Sequence, residues 1–197
     1  MNSNTEKILE LFRQTGAYLE GHFRLTSGIH SPEYLQCALV LQYPHYAEIL
    51  GQKLASGFRR LEPVRNLDVV VSPAMGGLII GHEVARALNA RHIFAERVEN
   101  TMTFRRGFAV KPGETAVVVE DVITTGGSTL EVVQLLKQSM ARVVGAGSII
   151  DRSGGRADVS VPRIALATMH VVAYDPSQCP LCANGIPVVK PGSRAVA

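Results

Sequence analysis

One stretch of this chain, residues 115–128, constrains its fold more than any other. After Thr115 come an alanine and three valines at 116–119, and a short apolar run of this β-branched character is typical of a strand buried on both faces. Two carboxylates, Glu120 and Asp121, follow where that strand is expected to end. A loop of threonines, glycines and a serine comes next, and an apolar-periodic helix is predicted from about Leu130.

This order of strand, acidic pair, small-residue loop and helix is suited to hold a phosphate beside a polyol. Glycines let backbone N–H groups approach an anion, hydroxyls add donors, and the helix N-terminus contributes the positive end of its dipole. The carboxylates repel phosphate, but they can accept hydrogen bonds from sugar hydroxyls or bind a metal ion. An ordinary strand-to-helix connection is the structural alternative. The string is neither a Walker loop nor a Gly-x-Gly-x-x-Gly dinucleotide turn.

The rest of the chain alternates predicted strands with predicted helices, which indicates a doubly wound α/β sheet with mostly parallel strands. The predicted helices cover 6–16, 44–60, 78–88 and 130–139. The predicted strands cover 69–71, 91–95, 116–119, 143–150 and either 164–170 or 169–173, with two shorter ones around a Ser-Gly turn near 23–34. No strand or helix is predicted over the polar span 96–106. Ligands of such sheets bind at the carboxyl ends of the strands, where the loops 72–77, 120–129 and 151–155 are expected to converge.

Composition limits the possible classes of protein. A chain of 197 residues fits one domain with a sizeable core. A net charge of +3 suits small anionic ligands and does not indicate nucleic acid. No apolar run reaches the roughly eighteen residues that a membrane span needs, and the N-terminus does not read as a secretion signal. Three cysteines, an odd number, favour reduced thiols and a cytoplasmic location.

Residues 117–129, with the sequence VVVEDVITTGGST, closely resemble the phosphoribosyl-diphosphate signature of the type I phosphoribosyltransferases. Residues 72–77 are similar to the diphosphate loop of that family. Three further segments resemble its orotate-specific branch: 26–34 its N-terminal Ser-Gly motif, 94–97 with 105–108 its mobile catalytic loop, and 179–194 the ending of one bacterial group. Together the matches run from about residue 16 to 194.

The resemblance implies one phosphoribosyltransferase domain over 1–197, with a small hood formed by about 1–40 and 175–197. It implies transfer of 5-phosphoribose from phosphoribosyl diphosphate to N1 of orotate, giving orotidine 5′-monophosphate and diphosphate in pyrimidine biosynthesis. Mg²⁺ would be the cofactor, held mainly by the substrates, with no protein ligand directly certain. A homodimer with shared active sites is implied, and neither nucleic acid nor membrane is an expected partner.

The resemblance also implies roles for particular residues of this chain. Orotate would be bound by Tyr34, Leu35, Thr124 and Arg152, with the arginine at the carboxylate. The residues implied in catalysis are Arg97, Arg105, Arg106 and Asp121. The residues implied in binding phosphoribosyl diphosphate are Ala74, Met75, Gly76, Arg97, Glu120, Asp121, Val122, Ile123, Thr124, Thr125, Gly126, Gly127 and Ser128.

This chain departs from the family pattern in its cations. Many relatives carry lysines after the loop arginine and before the Ser-Gly motif, and the matching positions here are Val98, Thr101 and Thr26. No lysine occurs between Lys53 and Lys111. Arginines 97, 105 and 106 could replace this charge when the loop closes. A purine-type phosphoribosyltransferase and a phosphoribosyl-diphosphate-sensing regulator are the alternative functions.

The pair Cys179 and Cys182 invites a zinc or redox interpretation. A zinc site needs about four ligands, and the sequence shows only one further cysteine and no histidine pair nearby. Structural packing of the tail is therefore predicted for this pair. The histidines 82, 92 and 170 are likewise predicted to be core or surface residues.

Overall fold

The computed structural model describes residues 3–25, 27–61, 67–169 and 172–191. The sequence-based interpretations of Thr26, of His170 and of 192–194 fall outside these ranges. The N-terminal part contains three helices and an antiparallel strand pair, in the order α1 (Ser3–Gln14), β1 (Tyr18–Arg24), β2 (His30–Leu35), α2 (Cys37–Leu41) and α3 (Pro44–Leu61).

The remaining elements alternate between strand and helix, as predicted. They are β3 (Val69–Pro73), α4 (Gly77–Leu88), β4 (Arg91–Val98), β5 (Thr101–Phe104), β6 (Thr115–Ile123), α5 (Gly127–Gln138), β7 (Arg142–Asp151), β8 (Arg163–Thr168) and the short α6 (Pro180–Ala183). Of the two positions predicted for the last strand, the structure has the first. None of the helices within the described ranges is long and apolar enough to cross a bilayer.

Strands β3 to β8 form one six-stranded sheet in the order β5-β4-β3-β6-β7-β8. All neighbours are parallel except β4 and β5, so the predicted doubly wound, mostly parallel sheet is confirmed. Alternate side chains of the central strands enter two apolar layers. Val70 and Val117 pack with α1 to α4, whereas Val71 and Val118 pack with α5.

The signature strand is longer than predicted. Instead of ending at Val119, β6 continues through both carboxylates to Ile123, because β7 goes on pairing with it as far as Ile123 opposite Asp151. Helix α5 likewise begins at Gly127 and not at Leu130, directly after Gly126 in a left-handed conformation. Glu120 and Asp121 are therefore strand residues with fixed directions.

The polar span 96–106 was predicted as a connection without regular structure, and this prediction is wrong. Strands β4 and β5 form an antiparallel hairpin across it, paired from Ala95 with Phe104 to Val98 with Thr101. The two turn residues between them, Glu99 and Asn100, both have positive φ, which is the arrangement of a type I′ turn. That turn matches the twist of the strands and allows the hairpin to close in two residues.

A second layer joins the N-terminal strand pair to the end of the chain. We call β1, β2 and the tail 172–191 the hairpin–tail unit. His30 exchanges two backbone hydrogen bonds with Tyr174, of 2.9 and 2.8 Å, and Val189 bridges to Phe23. In this unit His22 and His30 lie beside Cys179 and Cys182. The prediction that no histidine pair lies near these cysteines is therefore wrong in three dimensions. The histidines and the cysteines are about 150 residues apart in sequence, and strand pairing brings them together.

Candidate active site

The three loops that were expected to converge leave adjacent strands. Strand β6 lies between β3 and β7, and all three are parallel, so the segments 72–77, 120–129 and 151–155 emerge at the same edge of the sheet. This edge, at the carboxyl ends of the strands, is where doubly wound sheets bind ligands.

The loop that follows β6 has the backbone of an anion site. Gly126 has φ +85°, a left-handed conformation that glycine adopts without strain, and it precedes the twelve-residue helix α5. A Cβ at this position would lie 3.0 Å from the Val159 side chain, so the loop also packs against Val159. Thr124 and Thr125 are exposed, and the first N–H groups of a helix have no acceptor within the helix. Donors are thus presented to solvent at Thr124, Thr125 and Gly127.

The acidic pair lies near the end of β6 with its side chains on opposite faces, because neighbouring residues of a strand alternate. Glu120 is largely buried. The Asp121 carboxylate accepts a hydrogen bond from the backbone N–H of Val122 at 2.8 Å and lies against Gly76. Val122 and Ile123, also predicted to bind phosphoribosyl diphosphate, are strand residues, and the Ile123 side chain is fully buried.

The loop after β3 approaches the acidic pair closely. A Cβ on Gly76 would lie 2.6 Å from an oxygen of Asp121, and one on Gly77 would lie 2.8 Å from the Val119 carbonyl. Only glycine fits at these two positions without displacing a neighbour. The peptide bond between Ala74 and Met75 is cis, and the Met75 side chain is exposed. The predicted diphosphate loop therefore lies directly beside the predicted ribose-binding carboxylates.

A histidine that was predicted to be a core or surface residue supports this loop. The His92 ring lies 3.1 Å from the Ser72 hydroxyl, at the base of the loop. Burial, with a smaller effect of His82, lowers the pKa of His92 to about 4, so the ring is neutral at pH 7. The side chain is a support for the loop and not a cationic ligand.

Arg152 lies where β7 leaves the sheet, and its backbone N–H donates to the Ile123 carbonyl at 2.8 Å. Burial lowers the pKa of its guanidinium, while the nearby Tyr34, Cys37 and Glu33 oppose that effect. Tyr34, from β2, has its pKa raised by burial, and the charges of Arg152 and Asp121 both act on it. The structure thus brings the two predicted orotate residues Tyr34 and Arg152 into the neighbourhood of the acidic pair.

The turn that carries Arg152 is organised by a residue that the sequence interpretation missed. Asp151 is almost fully buried, accepts hydrogen bonds from Ser153 N and Oγ at 2.8 and 2.6 Å, and forms an ion pair with Arg163. Burial alone would raise the pKa of Asp151, but the bonds from Ser153 and Arg163 lower it overall. An aspartate directly before an Arg-Ser-Gly-Gly turn was the available signal, since such side chains often bond to the backbone ahead.

The three predicted catalytic arginines lie on the β4–β5 hairpin or directly after it. Arg97 donates to the Asn100 carbonyl at 2.7 Å and forms an ion pair with Glu131 of α5 at 2.8 Å. Arg106 makes two 2.9 Å hydrogen bonds to Glu96. Arg105 is exposed. The β4–β5 hairpin therefore keeps two of them on carboxylates of the same chain.

The remaining predicted residues lie on the strand pair and in the loop. Leu35 is buried and pairs with Tyr18 across β1 and β2. Gly127 is exposed at the first position of α5, and Ser128 is half-buried beside it. Each lies on an element that leads to the edge described above or begins at it.

Comparison with known proteins gives matches over nearly the whole chain. Residues 45–170 match the model of the phosphoribosyl transferase domain. An orotate phosphoribosyltransferase from Pelotomaculum thermopropionicum is 53% identical over 191 residues, covering 97% of this chain and 98% of that protein. One from Thermotoga petrophila is 52% identical over 189 residues, covering 96% of this chain and 99% of its own.

Solved structures share the fold at lower identity. An orotate phosphoribosyltransferase from Aeropyrum pernix superposes with a TM-score of 0.66 at 24% identity, covering 82% of this chain and 93% of that one. An adenine phosphoribosyltransferase from Saccharomyces cerevisiae superposes with a TM-score of 0.67 at 16% identity, covering 84% of this chain and 99% of that one. Because the adenine protein fits equally well, the fold alone does not select the base.

Proposed function

The chain belongs to the phosphoribosyl transferase family and, within it, to the orotate phosphoribosyltransferases; from this premise we propose that it transfers 5-phosphoribose from phosphoribosyl diphosphate to N1 of orotate. The products are orotidine 5′-monophosphate and diphosphate, in pyrimidine biosynthesis. We infer a cytoplasmic location from the three cysteines, none of which is in a disulfide.

The observation that carries the choice of base is the state of Arg152. Arg152 is half-buried, burial lowers the pKa of its guanidinium, and no carboxylate of the described residues forms an ion pair with it. A partly desolvated guanidinium without an ion-pair partner is suited to bind a carboxylate, which it does with two parallel hydrogen bonds. Orotate carries such a carboxylate, whereas adenine and hypoxanthine do not. Tyr34, Leu35 and Thr124 would complete the base site.

The phosphoribose would extend from this base site along the sheet edge. Its 5′-phosphate would accept hydrogen bonds from the loop 124–128, at the N-terminus of α5. Its ribose hydroxyls would donate to Glu120 and Asp121, and its diphosphate would lie against 74–76. The close approach of Gly76 to Asp121 supports this order, because it places the diphosphate loop next to the sugar-binding carboxylates.

Substitution at the anomeric carbon develops cationic character on the sugar and negative charge on the departing diphosphate. Asp121 would stabilise the sugar, and backbone N–H groups of 74–76 would face the leaving group. Mg²⁺ would be held mainly by the substrates, and the hard carboxylate oxygens of Glu120 and Asp121 are groups that suit it nearby. When bound, Mg²⁺ would neutralise charge on the leaving group.

We propose that Arg97 reaches the diphosphate of a second copy, so that a homodimer completes each site. Within one chain Arg97 lies on the β4–β5 hairpin and is held by Glu131. This ion pair is partly exposed, so exchanging it for a diphosphate costs little. Arg105 and Arg106 lie at the end of the same hairpin and would supply the positive charge that lysines supply in many relatives.

An absorbance assay tests the proposal. The protein is mixed with phosphoribosyl diphosphate and Mg²⁺, and orotate is compared with hypoxanthine and adenine. We expect orotate to be consumed only when both co-substrates are present. Consumption of a purine would contradict the proposed base, and turnover of none of the three would favour the regulator.

A further inference from the structure

Four potential metal ligands meet in the hairpin–tail unit, outside the proposed active site. His22 and His30 come from β1 and β2, and Cys179 and Cys182 come from the tail. One ligand atom from each residue lies within 4.8 Å of all the others. Three of the four residues are buried, and all three cysteines of the chain are free thiols.

The distances match those of a tetrahedral site. The His22 Nε2 atom lies 3.5 Å from Cys179 Sγ and 3.7 Å from Cys182 Sγ, and His30 Nδ1 lies 3.4 Å from Cys182 Sγ. With Zn–S about 2.3 Å and Zn–N about 2.0–2.1 Å, neighbouring N and S ligands are about 3.5 Å apart. The two histidine nitrogens, 2.8 Å apart, would need to separate by about 0.5 Å.

The surroundings direct a lone pair of His22 toward the cluster. Its Nδ1 atom lies 2.7 Å from the Ile186 carbonyl, which only accepts hydrogen bonds, so Nδ1 carries a proton. In the neutral ring Nε2 then carries the lone pair, which accepts from His30 Nδ1 at 2.8 Å in the metal-free chain and also faces the thiols. A histidine bound to a carbonyl through its second nitrogen is the usual arrangement of a metal ligand.

The backbone holds both histidines in place before any ligand binds. The His30 N–H and carbonyl both bond to Tyr174, and the His22 carbonyl accepts from Val189 at 2.8 Å. The two cysteines lie in one helical turn, with Cys179 directly before α6 and Cys182 within it. Ligands on such paired elements need little rearrangement to coordinate a metal.

The tail lacks the apolar packing that anchors the rest of the chain. Of the described residues 172–191, Cys179 is the only buried one, and Val172, Ile186 and Val189 are exposed. Segments that cannot bury enough apolar surface are commonly fastened by a disulfide or a metal. The tail nonetheless forms ordered backbone bonds to β1 and β2, so an anchor of another kind is required.

We propose that His22, His30, Cys179 and Cys182 bind one structural Zn²⁺ that fastens the tail to the β1–β2 pair. Two thiolates and two imidazoles in a tetrahedron suit zinc, and four protein ligands leave no position for catalysis. The fastened strand β2 carries Tyr34, so the zinc would fix one wall of the proposed base site.

The test measures metal content, because the proposed transferase reaction itself needs Mg²⁺ and turnover would mix the two effects. The full chain is purified without an affinity tag under reducing conditions, supplied with Zn²⁺ and dialysed. We expect one zinc per chain by mass spectrometry. With Co²⁺ alone we expect the visible absorption of a tetrahedral site and a thiolate-to-cobalt charge-transfer band.

Variants distinguish zinc binding at the four-residue cluster from zinc binding elsewhere on the chain. Cys182→Ser changes an exposed ligand and should retain the fold but lose zinc affinity by at least about tenfold. Cys182→His keeps a ligand and should restore binding. Cys37→Ser and His82→Gln remove the same residue types outside the cluster and should bind zinc as the unaltered chain does.

Zinc should also raise the thermal midpoint of the unaltered chain by roughly 5 °C at a hundredfold excess over Kd, and the same zinc concentration should raise that of Cys182→Ser by no more than about half as much. Equal zinc content in the unaltered chain and Cys182→Ser would overturn the proposal. So would a fully reduced chain that retains neither zinc nor cobalt, or a Cys179–Cys182 disulfide that persists under reducing conditions and excludes the metal.

Discussion

The loop 120–129 and the hairpin–tail unit both contribute predicted substrate residues, but different interactions hold them in place. The loop rises from β6, whose valines 117–119 are completely buried between two layers of helices. The tail buries one cysteine among its described residues and is held by backbone hydrogen bonds and a polar cluster. The loop is fixed by hydrophobic packing beneath it, whereas the tail of the hairpin–tail unit depends on a few polar groups.

This difference matters for the proposed reaction. Phosphate and ribose groups are common to every phosphoribosyltransferase substrate, and their proposed site follows the fully buried part of β6. The base is what distinguishes the substrates, and its proposed site joins Arg152 on the sheet to Tyr34 on the hairpin–tail unit. Four substitutions on the sheet side, two of them followed against pH, would test how strongly each of these interactions holds the site.

The largest effect is expected from Asp151→Asn on the sheet side. The change leaves Arg163 without its buried partner and weakens the turn before Arg152, and breaking a buried ion pair typically costs about 3–5 kcal/mol. Chemical denaturation would measure the loss. Asp158→Asn, which removes the charge of an exposed aspartate in the same connection, is the control and should change stability by less than about 0.5 kcal/mol.

The loss of stability in Asp151→Asn should depend on pH in a defined direction. The folded pKa of Asp151 lies below its ordinary value, so its carboxylate stabilises the fold fully above about pH 4. That stabilisation is lost as the pH falls through the lowered folded pKa. The difference between the variant and the unaltered chain should therefore shrink in acid, and a constant difference would show that the charge is irrelevant.

Arg152→Ala is expected to have the next largest effect, on activity. Losing a charge-assisted bidentate contact should lower kcat/KM for orotate by about a hundredfold, equivalent to roughly 3 kcal/mol, and leave KM for phosphoribosyl diphosphate nearly unchanged. Steady-state kinetics with each substrate varied would show this. Arg156→Ala, an exposed arginine in the same turn, is the control, and equal losses in both variants would remove Arg152 from the base site.

Two glycines with the same backbone conformation compare the regions directly. Gly126 has φ +85° and Gly28 has φ +88°, so alanine strains both by about 1 kcal/mol. Only Gly126 has neighbours within 4 Å of a new Cβ. Gly126→Ala should thus cost about 1–2 kcal/mol more stability than Gly28→Ala and raise KM for phosphoribosyl diphosphate. Equal costs would mean that the loop is packed no more tightly than the turn.

The smallest effect is expected from the titration of His92. Its pKa of about 4 lies below the ordinary value near 6.5, so the unfolded chain binds a proton more readily between these values. The contribution of His92 to the free energy of unfolding is therefore complete above about pH 6.5. It should fall by only about 1–2 kcal/mol as the pH drops to 4, because the ring is only partly buried and solvent weakens the effect. His92→Gln should flatten this part of the stability curve; an unchanged slope would contradict the assignment.

Much of the fold followed from local sequence pattern. The buried valine runs, the glycine-rich loops and the alternation of strand with helix predicted the sheet and the edge at which the three loops meet. The errors came where pairing overrode composition. The polar residues of β4 and β5 form a hairpin because each strand satisfies the other's backbone, and β6 runs past Val119 because β7 continues beside it.

The sequence by itself determined the class of fold, the strand-end loops and the residues expected to bind phosphoribose, because these depend on short contiguous motifs. Only the tertiary structure decided the support of Arg152 by Asp151 and Arg163, and the meeting of His22 and His30 with Cys179 and Cys182. Such groups are assembled from side chains that are far apart in the chain. Their proximity is set by strand pairing and packing, and no local spacing reports it.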